Sequence, residues 1–152
     1  MHPVGESFLG SMYLDTITMF DPSGPCCPLN VEDLTSDERQ REVLRRDPRR
    51  YDGYIMNRTA LEIRKLTEET RFAVKEIDYP FLCVHGGDDQ VAQPEGSRYI
   101  FTNAKTAKAH KKINIFDGAL HDVFNERKPI DSKAITEVVN FLQKRTPSGK
   151  DR

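Results

Sequence analysis

Phe81-Leu82-Cys83-Val84-His85-Gly86-Gly87-Asp88-Asp89 is a short apolar run that empties into glycine and aspartate. Four consecutive apolar residues bounded by turn formers suit a strand covered on both faces, and the carboxylates stand just beyond its end. Tyr79-Pro80 in front of it stops a preceding helix, because proline removes a backbone donor and biases its neighbour away from helical angles. In that helix Ile63, Leu66, Thr70, Ala73, Val74 and Ile77 recur at spacings of three and four, which predicts one apolar face packed against a sheet. Downstream, Pro94-Glu95-Gly96 opens a helix to about Ala107, and 112–116 reads as a second strand through Ile113, Ile115 and Phe116. Asp131-Ser132 caps a last helix whose inward stripe is expected to be Ile135, Val138, Val139 and Leu142.

The order from residue 57 is helix, strand, helix, strand, helix, which specifies an α/β fold with parallel strands joined by right-handed crossovers. Two strands are too few for a stable parallel sheet, so the pattern reads as the carboxyl-terminal end of a larger one. The first 56 residues are different in kind. Residues 1–20 predict an amphipathic helix with Phe8, Met12, Leu14 or Ile17, and Met19 on its apolar side, stopped by Pro22-Ser23-Gly24-Pro25. Residues 33–50 are dominated by charge: Ser36-Asp37-Glu38 starts a helix and Arg45, Arg46, Arg49 and Arg50 lie near its end, as the helix dipole favours. Those arginines suit a solvated helix end better than a phosphate site.

The 152 residues allow one ordinary domain or part of a larger one. The formal net charge is -1, so no basic field is available for nucleic acid. Cys26, Cys27 and Cys83 fit neither a disulfide framework nor a zinc site, which points to a reducing compartment; no metal or other cofactor is expected. Neither a signal peptide nor a membrane span fits the amino-terminal residues, so the chain is expected in the cytoplasm.

The chemistry concentrates in two loops. The second strand leads through Asp117-Gly118-Ala119-Leu120 to His121, as the first leads to Asp89. In open α/β sheets reactive groups gather at the carboxyl ends of strands, where a carboxylate can hold an imidazole in the tautomer that accepts a proton from a nucleophile. Asp88 competes with Asp89 as the acid, and Asp122 is a further carboxylate beside the base. A metal site built from His85, Asp88, Asp89 and His121 is a weaker alternative, since no close ligand pair is present.

Pro80-Phe81-Leu82-Cys83-Val84-His85-Gly86-Gly87-Asp88-Asp89-Gln90-Val91, followed by Pro94-Glu95-Gly96-Ser97, resembles the acid segment of monoacylglycerol lipases and related lysophospholipases, members of the α/β-hydrolases. The stretch 112–121 is similar to that family's strand into Gly-x-x-His. The resemblance covers roughly residues 33–145. It implies a partial α/β-hydrolase fold, with 1–56 as a helical cap remnant and 57–152 as the carboxyl-terminal part of the core. It also implies Asp89 as the triad acid, His121 as the triad base, and a lipid-like ester substrate such as a monoacylglycerol or lysophospholipid, with peripheral membrane contact.

Such a hydrolase needs a serine on a Gly-x-Ser-x-Gly elbow. The nearest match is Gly5-Glu6-Ser7-Phe8-Leu9-Gly10, where Leu9 replaces the second glycine and only four residues precede the motif, so residues 6–20 are read instead as cap helix. The chain is therefore expected to carry the Asp-His part of a Ser-Asp-His triad without its nucleophile half, and to be inactive alone. The alternative is a non-catalytic binding or regulatory fragment that self-associates or pairs with a full-length hydrolase through an exposed sheet edge.

Overall fold

The turn over residues 21–24 ends the first helix in the computed structural model, which describes residues 8–146. In chain order the elements are α1 (Phe8–Phe20), β1 (Pro25–Pro28), α2 (Glu38–Arg46), β2 (Tyr54–Met56), α3 (Asn57–Ala73), β3 (Phe81–Gly86), α4 (Pro94–Asn103), β4 (Lys111–Phe116) and α5 (Ile130–Gln143). They fall into two compact units: residues up to Asn30 with Pro48–Ile77, and Val31–Asp47 with everything from Asp78. The boundary drawn from sequence at 56/57 differs from this division. Helix α3 groups with α1, and α2 groups with the parallel strands.

In the first unit α3 packs against α1 and against β1 and β2, which pair antiparallel with Cys27 opposite Ile55. The amino-terminal end of α3 has no side-chain cap. Its orphan donors are met by the preceding turn instead: Asn57 N–H donates to Gly24 O at 2.9 Å and Arg58 N–H to Pro22 O at 3.0 Å. The expected apolar faces are corrected in part: Leu14 and Val74 are buried as expected, but other stripe residues are not. Among the α1 residues whose side chains are described, Leu14 and Thr18 are buried, while Met12 and Met19 are exposed; on α3 Leu61 is buried, while Ile63 and Leu66 are exposed. Arg64 explains part of the change. Its guanidinium donates to Asp15 of α1 at 2.6 Å and to Glu68 at 3.2 Å, so the face of α3 turned to α1 carries an ion pair rather than Ile63.

The second unit holds the two parallel strands expected from 81–84 and 112–116. They pair from Phe81↔Lys111 to Gly86↔Phe116, with α4 connecting them and packing on both. Strand β3 runs two residues further than its apolar run. Its residues Phe81 to His85 are half-buried, not fully covered, because β4 is the only strand beside them among the described residues. The core of this unit is Ala119, Val123 and Ala134, with Val84, Phe116 and Ile130 packed around it. Helix α5 thus turns Ala134 inward and leaves Ile135, Val139 and Leu142 exposed, which corrects the expected stripe. It starts at Ile130 without a side-chain cap, one residue ahead of Asp131-Ser132. Helix α2 begins as expected: Asp37 accepts the N–H groups of Arg39 and Gln40 at 2.9 and 3.1 Å. No described helix is long and apolar enough to cross a membrane.

Candidate active site

Beyond β3 and β4 the two loops are stitched together by backbone. Gly87 N–H donates to Phe116 O at 2.8 Å and Asp88 N–H to Ala119 O at 2.9 Å. Gly86 makes this approach possible. A Cβ there would lie 2.0 Å from Leu120 O and 2.5 Å from Ala119 O, inside any tolerable contact. Gly118, at φ 75°, supplies the left-handed residue that turns the chain from β4 toward His121.

Asp89 is 3% exposed, and both its oxygens are used. Oδ1 accepts the N–H groups of Val91 and Ala92 at 2.8 and 2.9 Å, a local turn that holds the carboxylate in one plane. Oδ2 lies 2.9 Å from His121 Nδ1. A carboxylate only accepts, so Nδ1 carries the proton and Nε2 of the neutral ring is left as the basic nitrogen. The His121 side chain is 41% exposed against 2% for Asp89, which puts the ring between a buried anion and solvent. Burial raises the carboxyl's pKa, but hydrogen bonds from Ala92 N–H, His121 and Val91 N–H outweigh it, and Asp89 lies below the ordinary carboxylate range.

The other acidic candidates are placed elsewhere. Asp88 is exposed and meets the second loop through its backbone, and Asp122 accepts from Asn125 Nδ2 at 2.8 Å. Among the described residues no group of three or more His, Cys, Asp or Glu is disposed to hold a metal ion. Ser7 lies outside the described residues, and among those described no hydroxyl or thiol is bonded to His121 Nε2.

Sequence reasoning missed one participant, Glu126, and named a second, His85, only within the weaker metal alternative. Glu126, 3% exposed, accepts Leu120 N–H at 2.8 Å and Ser36 N–H at 3.0 Å on Oε1, while Oε2 accepts the Ser36 hydroxyl and Arg127 N–H. With Thr35 Oγ donating to Asn125 O and Asp122 N–H to Leu34 O, residues 34–36 are tied along the loop that carries His121. The second is His85. Its Nε2 lies 2.7 Å from Ala92 O and 3.1 Å from Asp89 Oδ2, and its Nδ1 lies 2.8 Å from Ser97 Oγ. The available signal was the position of His85 and Ser97 inside the two stretches on which the acid-segment resemblance rests.

A family model described as serine aminopeptidase, S33, matches residues 13–128. The chain belongs to that family. Within the serine aminopeptidase S33 family its similarities run to lipases: 22% identity over 136 residues with a monoglyceride lipase homolog of Monkeypox virus, covering 90% of this chain and 47% of that protein. A monoglyceride lipase of Saccharomyces cerevisiae is 26% identical over 129 residues, covering 78% of this chain and 40% of that protein. Among solved structures, a soluble variant of the Saccharomyces cerevisiae enzyme in complex with a substrate analog superposes with a TM-score of 0.73 at 23% identity, over 90% of this chain and 47% of that one. The monoacylglycerol lipase of Paleococcus ferrophilus also gives 0.73, at 20% identity, over 91% of this chain and 53% of that one. The resemblance drawn from sequence is borne out, and the fold is part of an α/β-hydrolase fold. The chain spans about half the length of the relatives it matches.

Proposed function

We propose that this chain carries the acid and base of a carboxylic-ester hydrolase acting on monoacylglycerols or lysophospholipids, with Asp89 orienting His121 and His121 Nε2 taking the proton of a serine nucleophile. One observation carries the reading: at the tips of adjacent parallel strands, a buried carboxylate lies 2.9 Å from the Nδ1 of a half-exposed imidazole. As the serine attacks the ester carbonyl, Nε2 receives its proton. The imidazolium that results is stabilised by Asp89, and the same proton then passes to the departing alcohol. The substrate class is inferred from the lipases to which the chain is similar, and residues 1–56 are read as their cap. The chain is read as cytoplasmic, with membrane contact limited to the surface.

Fatty-acid release from a monoacylglycerol tests the proposal. The chain is assayed alone and together with a separately expressed lipase half that bears a Gly-x-Ser-x-Gly elbow. Release that disappears with His121→Ala supports it. Release indifferent to His121→Ala, or none in either arrangement, overturns it. A fluorophosphonate probe mapped by mass spectrometry identifies the nucleophile, and a label on Ser7 would replace the reading of residues 6–20 as cap helix.

A second reading, a non-catalytic module pairing with a full-length relative, is favoured by the half-buried side chains of β3. A defined complex in size-exclusion chromatography, in which this chain adds no esterase activity to that of the relative alone, would select it.

A further inference from the structure

His85 stands at the end of β3, four residues before Asp89, and both of its ring nitrogens are engaged. Nε2 faces two acceptors, the Ala92 carbonyl at 2.7 Å and Asp89 Oδ2 at 3.1 Å. A bare nitrogen lone pair between two oxygens would be repulsive, so Nε2 carries a proton and donates. In the neutral ring Nδ1 is then an acceptor, and the Ser97 hydroxyl, at 2.8 Å in the first turns of α4, is its donor. Ala92 is therefore held at both ends. Its N–H donates to Asp89 Oδ1 and its carbonyl accepts from His85.

We infer that His85 is a positioning residue: through Ser97, Ala92 and Asp89 Oδ2 it fixes the plane of the Asp89 carboxylate, and thereby the tautomer and aim of His121. The inference rests on the hydrolase reading for its consequence in catalysis, but not for its geometry. The carboxylate meets four groups here: the Val91 and Ala92 N–H on Oδ1, and His121 and His85 on Oδ2. Three of these either belong to the 89–92 turn or bond to it, so a loosened turn releases the plane of the acid as a whole. The His85 side chain is 16% exposed, which limits the water able to replace its donor.

Three variants separate the roles of the two nitrogens. Gln at 85 places an amide N–H near the position of Nε2, Asn places its polar end near Nδ1, and Phe keeps the ring without either. Long-range proton–nitrogen spectra of the histidine-labelled full chain report which nitrogen of His121 holds the proton. Wild type and His85→Gln are expected to show the Nδ1–H form. His85→Asn and His85→Phe are expected to show a mixture of tautomers, and in the ester assay a kcat about tenfold lower, the usual scale for one lost hydrogen bond, with KM little changed. Identical His121 spectra in all four proteins would overturn the inference. Equal disturbance by all three substitutions would also overturn it, because the ring would then act through packing alone. The expected spectra without ester hydrolysis would leave the positioning geometry standing and remove the hydrolase reading.

Discussion

Glu126 accepts the backbone N–H of Leu120 at 2.8 Å, so a buried carboxylate five residues downstream of His121 fixes the Ala119–Leu120 peptide, one removed from it. The same carboxylate accepts from the backbone and hydroxyl of Ser36, and the local loop is thereby locked to a segment 90 residues away in sequence. Glu126→Gln puts an amide N–H where a donor already points. It is expected to cost about 2 kcal/mol, the penalty for leaving a buried donor unmatched. Urea unfolding followed by circular dichroism measures the loss, and the ester assay should show a lower kcat because Leu120 carries the strain to His121.

Asp89→Asn tests the tautomer directly. Asparagine keeps the shape and can still accept from Val91 and Ala92 through Oδ1, which turns its amide toward His121. Nδ1 must then become the acceptor, the proton moves to Nε2, and the base is lost. The expected fall in kcat is about 10⁴-fold, the scale seen when a triad imidazole is held in the wrong tautomer. Circular dichroism should remain native, which separates this loss from unfolding.

The elements that were legible in the sequence are those with local causes. A continuous apolar run marked β3, Ile113, Ile115 and Phe116 marked β4, and Asp37 in front of Glu38 marked the start of α2. The meeting of Asp89 with His121 was legible because both follow parallel strands, whose ends bring loops together. The inward faces of α1, α3 and α5 were legible only in part: Leu14 and Val74 are buried as expected, but Met12, Met19, Ile63, Leu66, Ile135, Val139 and Leu142 are exposed. A three-and-four repeat says that a helix has an apolar side, but Arg64 and its ion pair with Asp15 take inward positions on α3 that hydropathy assigns to solvent. Ala134, at 0% exposure, packs with Ala119 and Val123 and takes the inward place on α5, while Ile135 is exposed. Glu126 was missed, and His85 was read only as a ligand of a weaker metal alternative, for a related reason: their partners Ser36 and Ser97 lie 90 and 12 residues away, and no local pattern encodes such bonds.

Gly86→Ala should separate the two loops. The new methyl would meet the carbonyl oxygens of Leu120 and Ala119, which are backbone and cannot rotate aside. Relief requires the His121 loop to move from β3, breaking the bonds from Gly87 to Phe116 and from Asp88 to Ala119. A destabilisation of about 3 kcal/mol is expected, at the upper end of the cost of overpacking. Gly96→Ala is the control: nothing lies within 4 Å of its added Cβ.

Acid should loosen the site before it melts the helices. Burial raises the Glu126 pKa, but the bonds from Ser36, Leu120 and Arg127 outweigh it, and the net shift is downward, as for Asp89. A carboxyl whose folded pKa lies below its unfolded value, about 4 for either residue, binds more protons in the unfolded chain. The stability it contributes is therefore complete above the unfolded pKa and is lost as pH falls through the folded one. Melting temperatures measured from about pH 6 downward should hold steady to about pH 5 and then decline. Glu126→Gln removes one of the titrating carboxyls, so its melting temperature, lower at neutral pH, should converge on that of wild type as the acid end is approached. A constant gap between the two proteins across the range would mean that the Glu126 charge contributes nothing to holding the His121 loop.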